Sequence, residues 1–447
     1  MSHPAVGLRA GYFTASELWS RYFTDPVRLA TILLTTLVLG YGSRIENGSP
    51  FIIPFLETIW GVTFTGIELV ILTILLLEIV RRLMLGDVTI ERTRLSLPML
   101  WVMLVLGVVP YIRMIIVENG FRFPLELLET PWLVGSFFIW LLIYRREDLH
   151  LMLWMVMIAG LYKSIEGVAV YVHYGLDWGL LTGWRDAMLL MMTVLGAFFA
   201  YVIKPEGDRL YRRVRIFFLA LAPISMFSFI GSSRRSFTIG AVLAILILLY
   251  YFSKQERSRI YSKALPLLVV VGIGAMGALG STQLIGRLAM ASEVGVESSA
   301  TYRLIELYNV WLDVVERPIF GWPMGRTWVN NTLLEVERQS NVMPHNTYLY
   351  MLWRGGIVGL LFWLWMLVVL MRMHHRTIRA ARTPMERFMA LWLASGTIGL
   401  IIATFTIPIS ADRLKNFFPF IMVMVGYLPG AWGMKRGDRR LAPPTTE

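Results

Sequence analysis

Residues 347–371 read TYLYMLWRGGIVGLLFWLWMLVVLM. Arg354 is the one charged side chain among them. A helix of roughly 20 apolar residues crosses about 30 Å of hydrocarbon, so this stretch is long enough to span a bilayer. Similar runs recur along all 447 residues. Backbone polar groups in lipid must bond within their own segment, so such runs are helices. The alternating segments of about ten residues that mark a membrane barrel are missing. The chain is 56% hydrophobic and 16% charged, where a soluble domain has about 25% charged residues. Its mean hydropathy is +0.60.

These observations predict an all-α polytopic membrane protein with about twelve transmembrane helices. The expected spans are 27–43, 62–80, 97–116, 131–144, 149–172, 187–203, 214–231, 237–252, 264–280, 347–371, 388–409 and 416–433. Residues 1–26 form a cytoplasmic or interfacial segment. Residues 27–280 hold nine spans, 281–346 one large loop, 347–433 three more spans, and 434–447 a tail. Glu17 and Asp25 precede any long apolar run, so no cleavable signal peptide is expected. With no cysteine, disulfides and thiolate chemistry are excluded.

Charge orients the spans. With the N-terminus inside, most lysines and arginines fall on inner segments, among them Arg81, Arg82, Arg92 and Arg94, then Arg372, Arg376, Arg379 and Arg382. This is the positive-inside pattern. It accounts for the net charge of +12 without a nucleic-acid partner, and such a face also suits anionic membrane lipids. The exceptions carry the functional signal. Arg234 and Arg235 sit in a short outward loop, Arg185 just before a span, and Arg413 and Lys415 in another brief outward loop. A guanidinium fork matches phosphate oxygens bidentately. The alternatives are snorkelling to the headgroups or pairing with Asp186 and Asp412.

The large outer loop contains SATYRLIELYNVWLDVVE at 299–316, where Leu304, Ile305, Tyr308, Trp311, Val314 and Val315 recur at helical spacing. Pro318 follows, then the turn-rich Gly321-Trp322-Pro323-Met324-Gly325. The loop closes at Pro344-His345-Asn346. Asn346 is a plausible N-cap for the next span. That puts His345 at a helix mouth, where an imidazole of pKa about 6.5 can serve as a general base.

Tyr302-Arg303, Trp311, Arg317-Pro318-Ile319-Phe320-Gly321, Pro344-His345-Asn346-Thr347-Tyr348-Leu349 and Gly355-Gly356-Ile357-Val358-Gly359, together with Ser233-Arg234-Arg235, resemble the shared region of bacterial O-antigen ligases and Wzy-type polysaccharide polymerases. Arg354 departs from that pattern, which bears on the acceptor. The resemblance implies a GT-C-type membrane glycosyltransferase of the inner membrane, acting on the periplasmic side. Its donor is a glycan on undecaprenyl pyrophosphate. Its acceptor is lipid A–core oligosaccharide in a ligase, or a second lipid-linked glycan in a polymerase. Ligase is the favoured member.

Within that reaction the residues take expected roles. His345 accepts the acceptor's proton or orients its hydroxyl. Arg303, Arg234, Arg235 and Arg185 face the charge that grows on the leaving pyrophosphate. Arg354 and Asn346 are candidates to line the cavity. No Asp-x-Asp element lies near these groups, so metal-independent transfer without a cofactor is expected, although Glu293, Glu297 and Glu306 share the loop. Glu68, Glu78, Lys163, Glu166 and Arg354 fall inside spans, where charges face the interior. Lys163 and Glu166, three residues apart, are expected to pair. A transporter would show internal repeats, and none is evident.

Overall fold

A computed structural model describes residues 24–40, 56–59, 62–64, 66–87, 89–118, 130–174, 186–232, 235–264, 266, 299–326, 344–407 and 414–432. Among them, five helices are long and apolar enough to cross a membrane: Ser96–Val117, Arg146–Val172, Arg209–Gly231, Thr347–Ala380 and Pro384–Ala403. Five shorter apolar helices accompany them. The chain is thus a multi-pass helical membrane protein. Expected span 264–280 lies almost wholly outside the described residues.

In chain order the helices are α1 (Pro26–Gly40), α2 (Gly66–Met84), α3 (Ser96–Met103), α4 (Val109–Glu118), α5 (Thr130–Ile143), α6 (Leu149–Tyr174), α7 (Ala187–Val202), α8 (Arg209–Gly231), α9 (Arg235–Leu248), α10 (Lys254–Arg259), α11 (Ser299–Glu316), α12 (Thr347–Ala380), α13 (Pro384–Ala403) and α14 (Leu414–Ala431). A π-helical stretch, Leu104–Val108, joins α3 to α4.

Several boundaries differ from expectation, two of them for a clear local reason. The expected span 62–80 begins later, because Leu56–Ile59 and Val62–Phe64 pair as an antiparallel hairpin. Ile59 pairs with Val62, and Leu56 with Phe64. α13 starts at Pro384 because Thr383 and Glu386 form a reciprocal capping box. α12 continues to Ala380 beyond its apolar run.

α13 lies at the centre of the bundle, with 78% of its apolar window buried, against 28% for Ser96–Val117 at the rim. It packs on α7 and α9. The Trp392 indole N–H donates to Met192 O at 2.7 Å. α9 and α13 run antiparallel. At one end Arg387 bonds Tyr251 O at 3.0 Å and Glu256 at 2.7 Å. Further along, Gly240 meets Gly399 so closely that a Cβ on Gly240 would stand 2.3 Å from Gly399 O. Small residues permit such backbone contact between membrane helices.

Several buried charges among the described residues are paired, as an apolar interior favours. Lys163 bonds Glu166, the expected partner. It also meets Asp186 at 3.6 Å. Glu78 accepts from Arg81 and Arg82 at 2.9 Å each. Arg28 bonds Asp148 at 2.6 Å and approaches Glu78 at 3.7 Å.

Candidate active site

The start of α12 is fixed from two directions. Asn346 caps the helix, its side chain accepting from Leu349 N–H at 3.0 Å. Thr347 N–H donates to Thr404 O, and Thr347 Oγ1 to Ile407 O, both at 3.0 Å. Tyr348 stacks on Phe405 with ring centroids 4.3 Å apart. His345 therefore stands on a rigid corner where α12 begins and α13 ends.

The third element at this corner is α11, which forms over the range its apolar spacing predicts. Its Glu306 is buried and accepts from the backbone N–H of His345 at 3.1 Å. Both carboxylate oxygens also lie 3.1 Å from His345 Nδ1. A carboxylate on Nδ1 favours the tautomer with its proton there, which makes Nε2 the basic nitrogen and fixes the ring's direction. The imidazole keeps 42% of its surface exposed while Glu306 keeps 4%. A buried carboxylate thus orients an accessible base. Arg303 lies one turn before Glu306 on α11 and is exposed.

Of the arginine pair, Arg235 is placed by topology. Gly240 is five residues into α9 from Arg235, and Thr404 is five residues past Gly399 on the antiparallel α13. The backbone of Arg235 is therefore at the level of Thr404, and so at the end that carries Thr347 and His345. Asp186, which precedes α7, belongs to this end too: Met191 and Met192 face Gly399 and Gly396. Arg185 and Arg234 lie outside the described residues, as do Glu293, Glu297 and the side chain of Arg235.

Arg354 is placed deeper, 1% exposed. It stacks over Trp353 at 3.7 Å and donates to Pro323 O at 2.6 Å and Arg326 O at 2.8 Å. It holds the turn-rich segment after α11. That segment is built into a break in α12. Gly356 has φ +62°, a conformation only glycine takes readily, and the break costs the helix its bond from Ile357 N–H to Trp353 O. Both groups are satisfied from the segment instead. Ile357 N–H donates to Pro318 O at 2.8 Å, and Trp322 N–H donates to Trp353 O at 2.8 Å. Backbone polarity in a membrane helix must be met this way. Trp322 sits between Arg317 and Arg326, 4.1 and 3.4 Å from its ring centroid. Arg113 on α4 donates to Phe320 O at 2.6 Å and Gly321 O at 3.0 Å.

Sequence reasoning selected His345, Arg303 and the cap Asn346. It treated Glu306 only as a loop carboxylate, and it passed over Arg113. The one available signal for Glu306 was its place three residues after Arg303, on what proves to be the buried face of α11.

The sequence pattern of the family described as O-Antigen ligase matches residues 220–364, which supports the O-antigen ligase and Wzy-type superfamily for this chain. The matched stretch includes α9, α11, Glu306, His345 and the break at Gly356. No curated protein matches the chain.

Proposed function

We propose that this chain, with its O-antigen ligase region at residues 220–364, moves a glycan from undecaprenyl pyrophosphate to an acceptor hydroxyl. In this reading it is a GT-C-type enzyme with about twelve membrane helices in the bacterial inner membrane. Both termini are cytoplasmic and the site faces the periplasm. The acceptor is lipid A–core oligosaccharide, which makes the protein an O-antigen ligase.

The observation that carries the reading is the Glu306–His345 pair. His345 Nε2 takes the proton of the acceptor hydroxyl as its oxygen attacks the anomeric carbon. The bond from that carbon to the pyrophosphate oxygen breaks, and undecaprenyl pyrophosphate leaves. Negative charge grows on the leaving oxygen. Arg303, Arg234, Arg235 and Arg185 stabilise it in place of a metal cation. Asn346 fixes the helix start that bears His345. Arg354 keeps the neighbouring segment in place.

Purified protein given lipid-linked glycan and lipid A–core is expected to produce the joined product. His345→Ala and Arg303→Ala are expected to abolish it while the protein still inserts and accumulates. Near-normal transfer by His345→Ala removes the base role. Elongated lipid-linked chains formed without lipid A–core identify a Wzy-type polymerase instead.

A further inference from the structure

α11 is inside out. On a helix at a protein–water boundary, the apolar stripe faces the core and the polar face meets solvent. Here Glu306, Asn309 and Asp313 are buried, 3%, 0% and 2% exposed, beside Val310 and Val314. Leu304, Leu307, Tyr308, Trp311 and Val315 project outward, between 42% and 65% exposed. Their spacing of three and four residues draws one continuous apolar stripe along the helix. Ile319 and Phe320 extend it past the helix end, 58% and 56% exposed. Contiguous apolar surface of this kind marks contact with a partner or with lipid.

The partner follows from what surrounds the stripe. The segment after α11 is bonded to residues well inside two membrane-crossing helices. Met324 N–H donates to Pro110 O at 3.2 Å, and Pro318 O accepts from Ile357. Pro110 lies seven residues from the Val117 end of its span, about 10 Å along a helix. Beside this attachment the same span exposes Ile112 and Ile116, 48% and 67%. The stripe on α11 therefore continues the apolar surface of a membrane-crossing helix.

We propose that α11 is embedded in the bilayer leaflet at the Thr347 end of α12, its outer stripe in contact with lipid acyl chains. The helix expected within the large outer loop then forms part of the membrane-facing wall. Glu306 and His345 then sit at the margin of the hydrocarbon.

The chain has no cysteine, so single cysteines can be placed in the otherwise native full-length protein. Leu307→Cys, Trp311→Cys and Val315→Cys, labelled with a nitroxide in phospholipid nanodiscs, are compared for access to oxygen and to a water-soluble nickel chelate. Ile116→Cys is the lipid control, and Arg212→Cys, at an exposed position, the aqueous one. The ratio of oxygen to nickel access is expected to match position 116 and to exceed position 212 several-fold. A ratio like that of position 212 overturns the proposal. So does low access to both reagents, the result for a stripe covered by another protein, a second copy or another part of this chain. Leu304→Cys and Tyr308→Cys, on the same stripe, replace any variant that loses its folded elution profile.

Discussion

Trp322 and Trp353 share a hydrogen bond that α12 has given up: the backbone N–H of Trp322 reaches the carbonyl of Trp353 at 2.8 Å. In an unbroken helix that carbonyl would serve Ile357. The exchange depends on Gly356, because a Cβ there would lie 2.2 Å from Ile319 O. Gly356→Ala is therefore expected to lower stability by about 2 kcal/mol or more, from backbone strain alone. Thermal unfolding in detergent measures this. An unchanged midpoint would show that the segment can move aside.

Glu306 acts on the acceptor only through His345 and is a positioning residue. Glu306→Gln keeps the volume but removes the charge that stabilises a protonated ring. Transfer is expected to fall roughly tenfold to a hundredfold, with a changed pH profile and an unchanged thermal midpoint. Glu306→Asp should recover part of the rate. His345→Ala should cost about 10²–10⁴-fold. Equal rates for Glu306→Gln and the wild type, at every pH, would remove Glu306 from the mechanism.

Arg354 satisfies two carbonyls of the turn-rich segment and is itself buried. Arg354→Met leaves Pro323 O and Arg326 O without this donor and is expected to cost about 2–4 kcal/mol. Arg354→Lys should rescue little, since an ammonium lacks the fork that reaches both oxygens. A stability loss that matches the loss of transfer places Arg354 in the scaffold. Full stability with no transfer would place it against substrate.

At the Gly240–Gly399 contact the two backbones touch. Gly240→Leu must separate α9 from α13 and is expected to destabilise by about 1–3 kcal/mol or more. The start of α9 would shift relative to the start of α12. Transfer should thus fall further than the lost stability explains, which a comparison of residual activity with folded fraction tests.

The legible parts of the fold are those fixed by near neighbours. The spacing of apolar residues predicts α11, an asparagine before an apolar run predicts the cap at 346, and a three-residue separation predicts the Lys163–Glu166 pair. Glu306 and His345 are 39 residues apart, so neither local pattern nor composition joins them. The direction of α11 was equally hidden. Periodicity gives the angle of an apolar stripe but not whether core or lipid receives it. The break in α12 did leave a trace, the adjacent Gly355 and Gly356 within an apolar run. Helix propensity tolerates glycine in a membrane span, and only the partner segment reveals what the break accommodates.

The rebonding at Gly356 also constrains assembly. Residues 318–322 leave the ribosome before residues 353–358, yet each group of backbone atoms completes the other. Until Ile357 has entered the bilayer, Pro318 O lacks its donor, and an unmet carbonyl in hydrocarbon is expensive. Closure of this corner therefore needs both stretches of chain in place.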